Sequence, residues 1–110
     1  MTGVQTCALP IFDAKLKEAC PKTYELAAPK GEARYVVWNR YGYHSSFGDD
    51  QNVVDLPKVQ IDIVSNIRDD ILVADVCAAL WLMGLPYSVQ SDGYDPDYNA
   101  FRTILQLVVI

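Results

Sequence analysis

The chain predicts an α+β fold, an antiparallel sheet of about five strands with two helices on one face, in the order α-β-β-β-α-β-β. Three observations predict it. Residues near Gln60 alternate apolar and polar, and residues near Val76 repeat their apolar positions at helical spacing. Short turn clusters separate the remaining stretches of β-formers. Helices gathered on one face of an antiparallel sheet are the natural packing for this order.

The elements are read from Phe12 onward. Thr2 to Ile11, TGVQTCALPI, back-translates in a single frame into a sequence that resembles a common sequencing-library adapter. The adapter's preceding GTG would be read as Met1, and its last T would open the Phe12 codon. A truncated signal peptide is the competing reading. It lacks a positively charged start, and its apolar run from Cys7 to Phe12 is interrupted by Pro10 and shorter than the roughly 7–15 residues of an h-region. Residues 1–11 are therefore expected to be an adapter-derived artefact outside the fold, and 12–110 a single domain.

Within that domain, Asp13 is expected to cap a short helix that Pro21 stops, with Leu16, Ala19 and Cys20 as its apolar stripe. Thr23 to Ala27 and Arg34 to about Tyr43 read as strands around the turn Pro29-Lys30-Gly31-Glu32, close enough to form a hairpin. Tyr41 to Asp50 is rich in Gly, Ser and aromatic residues and reads as a long loop or a projecting hairpin tip. Lys58 to Val64 is a strand with Val59, Ile61 and Ile63 on one face and Lys58, Gln60 and Asp62 on a wet face. Asp69 or Asp70 caps a second helix through about Met83, closed by Gly84 with Pro86 beyond. Tyr87 to Ser91 and Ala100 to about Val109 are the last strands, joined by a turn over Asp92 to Asp97.

The second helix carries most of the functional information. Leu72, Val76, Leu80 and Met83 form one stripe, with Ala79 beside it, and should cover the sheet. The opposite side holds Ile71, Ala74, Ala78, Trp81 and Leu82, with Asp75 nearly alone as a polar residue. A helix that is apolar all round is buried on both sides. A domain of this size lacks the chain to cover both faces, so the outer face is a candidate subunit interface with Trp81 as its anchor. Otherwise the first helix or the aromatic loop must cover it internally.

Composition narrows the partners. The chain is 51% hydrophobic and 21% charged, an ordinary globular balance. Its net charge of −5 argues against a nucleic-acid partner, which needs a clustered basic face. Lys15, Lys17, Lys22 and Lys30 are interleaved with Asp13, Glu18, Glu25 and Glu32, as on a solvated surface. No apolar run approaches the roughly 18 residues that would cross a membrane. Cys20 and Cys77 sit among apolar neighbours, as reduced, packed thiols do.

Catalytic and metal-binding patterns are weak. His44, the only histidine, lies between Tyr43 and Ser45 with no nucleophile motif around it. Asp92, Asp95, Asp97 and Asn99 lack EF-hand spacing and have the composition of a turn between strands. A zinc site would need carboxylates drawn from far apart. No catalytic residues, cofactor or metal ligands are assigned, and the expected class is not an enzyme.

Several segments together resemble small tail proteins of phages and prophages, relatives of the tail-completion and tail-terminator group. They are Tyr35-Val36-Val37-Trp38, the aromatic loop ending Phe47-Gly48-Asp49-Asp50, Pro57-Lys58-Val59-Gln60-Ile61-Asp62-Ile63, and Gly93-Tyr94-Asp95 with Phe101-Arg102. The resemblance spans Phe12 to Ile110 as an overall pattern without a signature motif. It implies an α+β subunit that assembles into a ring, commonly of six, at the head-proximal end of the tail tube, stopping tail polymerisation and offering a docking surface. The expected partners are further copies of the chain and other tail or connector proteins. The expected location is the virion tail, with the host cytoplasm as the site of assembly. Tyr41, Tyr43, His44 and Phe47 would contact a tube or connector protein. The alternatives are a head–tail connector or other minor virion protein and, from another class, a cytoplasmic small-ligand-binding domain with a pocket between sheet and helices.

Overall fold

The computed structural model describes residues 3–47 and 53–109, and the side chains of 9–42 and 56–109. The order is α1 (Gly3–Ala19), β1 (Thr23–Glu25), β2 (Arg34–Phe47), β3 (Val53–Ser65), α2 (Ile71–Leu82), β4 (Tyr87–Asp95) and β5 (Ala100–Val108). This is the α-β-β-β-α-β-β order that the sequence predicts. The five strands form one sheet in the spatial order β1-β2-β3-β5-β4.

The sheet is mixed, which corrects the expectation of a purely antiparallel one. β1 pairs parallel to β2, Thr23 opposite Val36 and Glu25 opposite Trp38, so the two are not a hairpin. The cause is local. Leu26 has φ 75° and sits between the Glu25 carbonyl and the Ala27 N–H that donates to it at 2.9 Å. That is a γ-turn of the rare, strained kind. It swings the chain out of the strand after three residues, and β1 is short enough for the next eight residues to return alongside it.

The first helix also differs from expectation. Asp13 does not cap it, because α1 begins at Gly3 and runs on through Pro10. Asp13 instead lies mid-helix, where its carboxylate accepts the Trp38 indole N–H at 2.8 Å and pairs with Lys17 at 2.8 Å. Phe12 stacks edge-on against Trp38, ring centroids 5.4 Å apart, and both rings are buried. Such an aromatic pair adds about 0.5–1.5 kcal/mol beyond its burial. These contacts dock α1 on β2, and Leu9 packs against the edge of the same core.

β2 and β3 form a long antiparallel hairpin, paired from Arg34–Ser65 out to Phe47–Val53 with an irregularity between Arg40 and Gly42. The backbone of Tyr41 to Phe47 is thus strand, in the manner of a projecting hairpin, and Gly48 to Asp50 lie outside the described residues. β4 likewise runs on to Asp95, leaving a turn of residues 96–99 in which Asn99 adopts φ 51°. Asn tolerates that left-handed backbone.

Both helices lie on one face of the sheet. Phe12 and Leu16 of α1, Leu72, Val76 and Leu80 of α2, and Val36, Trp38, Val59, Ile61, Ile63, Leu105 and Leu107 of the sheet make one buried cluster. The start of α2 is set by Asp70, whose carboxylate accepts the Leu72 N–H at 3.0 Å. The same carboxylate takes two bonds from the Arg34 guanidinium, from Nε and, at 2.8 Å, from Nη2, and one from the Ser65 hydroxyl. Its end is a Schellman motif. Gly84 (φ 72°) donates to Trp81 O and Leu85 donates to Leu80 O, both at 3.0 Å, which folds Leu85 back into the core.

Candidate functional site

α2 is apolar on both sides, and the chain covers only one of them. Leu72, Val76 and Leu80 are buried, while Ala79 and Met83 are half-buried beside them. On the far side Ile71, Ala74, Ala78, Trp81 and Leu82 are all exposed, Trp81 to 81% and Leu82 to 85%. Neither α1 nor the β2–β3 hairpin is placed over this face among the described residues. The five residues expected at an interface are therefore together on one solvent-facing helix surface.

The surface continues onto the sheet. The helix layer is narrower than the five strands beneath it, and β4 is left uncovered at the edge. The register places Tyr87, Val89 and Tyr94 on the helix-bearing face of β4, and all three are exposed. α2 then forms a wall and β4 a floor. An open groove of about 740 Å³ lies at one end, lined by Ile67, Val73, Ala74, Tyr94 and Phe101 and equally by the polar Arg68, Asp69, Asp70, Asp92 and Thr103. Another of about 530 Å³ lies at the far end, lined by Trp81, Gly84, Leu85, Pro86 and Tyr87. The Cys77 thiol of α2 lies near the Tyr87 hydroxyl and pushes the phenol's pKa up.

Ile67, Ile71, Trp81, Leu82, Tyr87, Val89 and Tyr94 are all exposed large hydrophobic residues on α2, on β4 or in the loop before α2. Exposed apolar side chains gathered on adjoining elements and rimmed by polar ones mark an interaction surface.

The loop residues fare differently. Tyr41 is exposed on the helix-free face of the sheet, its ring beneath the Lys58 ammonium at 5.2 Å and its hydroxyl 3.4 Å from Gln106 Oε1. Tyr43, His44 and Phe47 belong to β2 by backbone, and their side chains lie outside the described residues. The acidic residues of the β4–β5 hairpin are not brought together. Asp92 accepts from Thr103, Asp95 from Arg102 and the Asp97 N–H, and Asn99 from Tyr94. Among the described residues no group of three His, Cys, Asp or Glu side chains is placed to hold a metal. No described helix is long and apolar enough to cross a membrane. Cys20 and Cys77 are free thiols, the first buried and the second half-buried.

Sequence reasoning missed a polar network across the helix-free face. Arg102 donates to Asp62 at 2.6 and 3.2 Å and to Asp95 at 3.2 Å, with Tyr98 stacked on its guanidinium at 4.5 Å. Asp62 accepts from Gln60, which in turn accepts from Gln106. The alternation of β3 marks Gln60 and Asp62 as outward-facing but says nothing of the β5 partners opposite them. These side chains are largely spent on one another, whereas Trp81 and Leu82 of α2 stand exposed to solvent.

Comparison with known proteins adds no relative: no family model matches the chain, and no curated protein is significantly similar to it.

Proposed function

We propose that the chain is a structural subunit of a phage or prophage tail, of the tail-terminator or tail-completion kind. It acts by ring assembly at the tail end, having been made in the host cytoplasm and built into the virion tail. The observation that carries this reading is the exposed apolar outer face of α2, Trp81 and Leu82 above all, continuous with an uncovered edge of the sheet. Keeping such a face in water is costly at about 25 cal/mol per Å², and a ring of copies removes it from water. Head-to-tail contacts of this kind close a ring when the rotation between copies closes.

The small-ligand reading draws less support. It expects Trp81 inside the domain beside a closed cavity, and Trp81 is 81% exposed beside open grooves.

The Trp81→Asp substitution tests the assembly reading. The side chain makes few internal contacts, so circular dichroism and melting of the dilute protein should match the parent within about 0.5 kcal/mol. Assembly should be lost, because an unpaired charge would be buried at the centre of the contact. Rings formed by Trp81→Asp would show that this helix face is not the interface.

A further inference from the structure

None of residues 86–99 is buried, whereas Leu85 and Ala100, which bracket them, both are. The segment holds Pro86, β4 and the turn that follows it. Among the described residues β4 supplies no side chain to the buried cluster shared by the helices and the sheet. Even Tyr87, Val89 and Tyr94, on the helix-bearing side, are exposed.

What holds β4 is its ladder to β5, interrupted between Val89 and Ser91, and side-chain contacts to the same strand. Asp92 accepts from Thr103 at 2.9 Å, Asp95 accepts from Arg102 at 3.2 Å, and the Tyr94 ring meets Phe101 edge-on. Away from β5, it meets α2 at Tyr87, whose hydroxyl lies near the Cys77 thiol. β5 is secured separately. Its other edge pairs with β3 from Phe101 to Val108, and Leu105 and Leu107 sit in the core.

Releasing β4 would therefore expose little new apolar surface, so it forfeits little hydrophobic stabilisation. It also returns backbone freedom to every residue that leaves the ladder. The chain has the slack to do so. Residues 86–99 reach roughly 45–50 Å when extended, whereas β5 covers about 30 Å between the two buried ends.

We infer that residues 86–99 are a strap that lifts off β5 as a unit, with Leu85 and Ala100 as its fixed ends. Both helices and the other four strands stay folded, and the open form bares the backbone groups of β5 that β4 otherwise occupies. The Arg102–Asp95 pair is the clasp near the turn. Arg102 is also held by Asp62 of β3 at 2.6 Å, so parting from Asp95 does not strand the guanidinium. The strap is a property of the single chain and stands apart from the ring reading.

β5 can report on its two neighbours separately. Val109 donates to the Pro57 carbonyl opposite it, so odd-numbered residues of β5 bond β3 and even-numbered ones bond β4. Native-state amide exchange of the dilute chain, corrected for intrinsic rates, is the test. The amides of Arg102, Ile104 and Gln106 should exchange at least about tenfold faster than those of Thr103, Leu105 and Leu107. Asp95→Asn keeps an acceptor for the Asp97 N–H but removes the charge from the clasp. It should speed the even-numbered set about threefold further and leave the odd-numbered set unchanged. Equal protection of the two sets in the parent would overturn the strap, because β4 would then open only with the rest of the sheet. Acceleration of both sets together in Asp95→Asn would overturn it too, and acceleration of neither would overturn the clasp.

Discussion

Leu80→Ala is expected to lower the unfolding free energy by about 2–5 kcal/mol, whereas Leu82→Ala, two residues along the same helix, should change it by less than about 0.5 kcal/mol. Leu80 is fully buried in the cluster shared by both helices and the sheet, and Leu82 is 85% exposed. For a domain of this size each kcal/mol shifts melting by about 4–8 °C, so Leu80→Ala should melt at least about 10 °C lower in dilute solution. Leu82→Ala should instead weaken self-association while leaving dilute melting unchanged. Differential scanning calorimetry at low concentration, paired with light scattering at high concentration, separates the two effects. Equal destabilisation by both would mean that α2 sits with its other face inward.

Asp70→Ala should cost about 2–3 kcal/mol, from a lost helix cap and lost charge-assisted bonds. The Asp70 side chain is 5% exposed, and its carboxylate joins the start of α2 to Arg34 and Ser65 of the sheet. The Arg34 guanidinium holds its pKa well below the usual aspartate range, aided by the Ser65 hydroxyl and the Leu72 N–H and opposed by burial. A depressed native pKa contributes stability that is fully present above the unfolded value and is lost as pH falls toward the native one. The parent should therefore hold this contribution at neutral pH and lose it as pH falls below about 4. Asp70→Asn keeps a capping side chain but no charge, so it should be destabilised at pH 7 and show a shallower loss in acid. A parent and Asp70→Asn with parallel acid profiles would remove Asp70 from this role.

Much of the fold is legible in the sequence because α2 and β3 carry strong periodic signals. The alternation of Val59, Ile61 and Ile63 and the stripe of Leu72, Val76 and Leu80 each have one packing solution, and the structure adopts it. The Asp70 cap and the Gly84-Pro86 stop are chemical signals of the same directness. The parallel β1–β2 pair was not legible. It depends on a positive φ at Leu26, a residue whose chemistry gives no hint of that backbone. Asp13 misled for a related reason, since a carboxylate that suits a cap equally suits the indole N–H of Trp38, 25 residues away.

The candidate surface divides in the same way. The outer residues of α2 can be found by rotating the helix, because five apolar side chains on the far side leave no polar face for solvent. β4 could not be added from sequence alone. Tyr87, Val89 and Tyr94 look like ordinary strand residues until the width of the helix layer is known, and only then do they stand out as uncovered.

The central claim is that the α2–β4 surface is covered by further copies of this chain. Multi-angle light scattering of the parent protein from low micromolar to near-millimolar concentration, with negative-stain imaging of the same samples, tests it most directly. The account predicts a mass that rises to a fixed multiple of the subunit and closed rings in the images. A mass that stays at one subunit throughout, with no rings at the highest concentration, would contradict it.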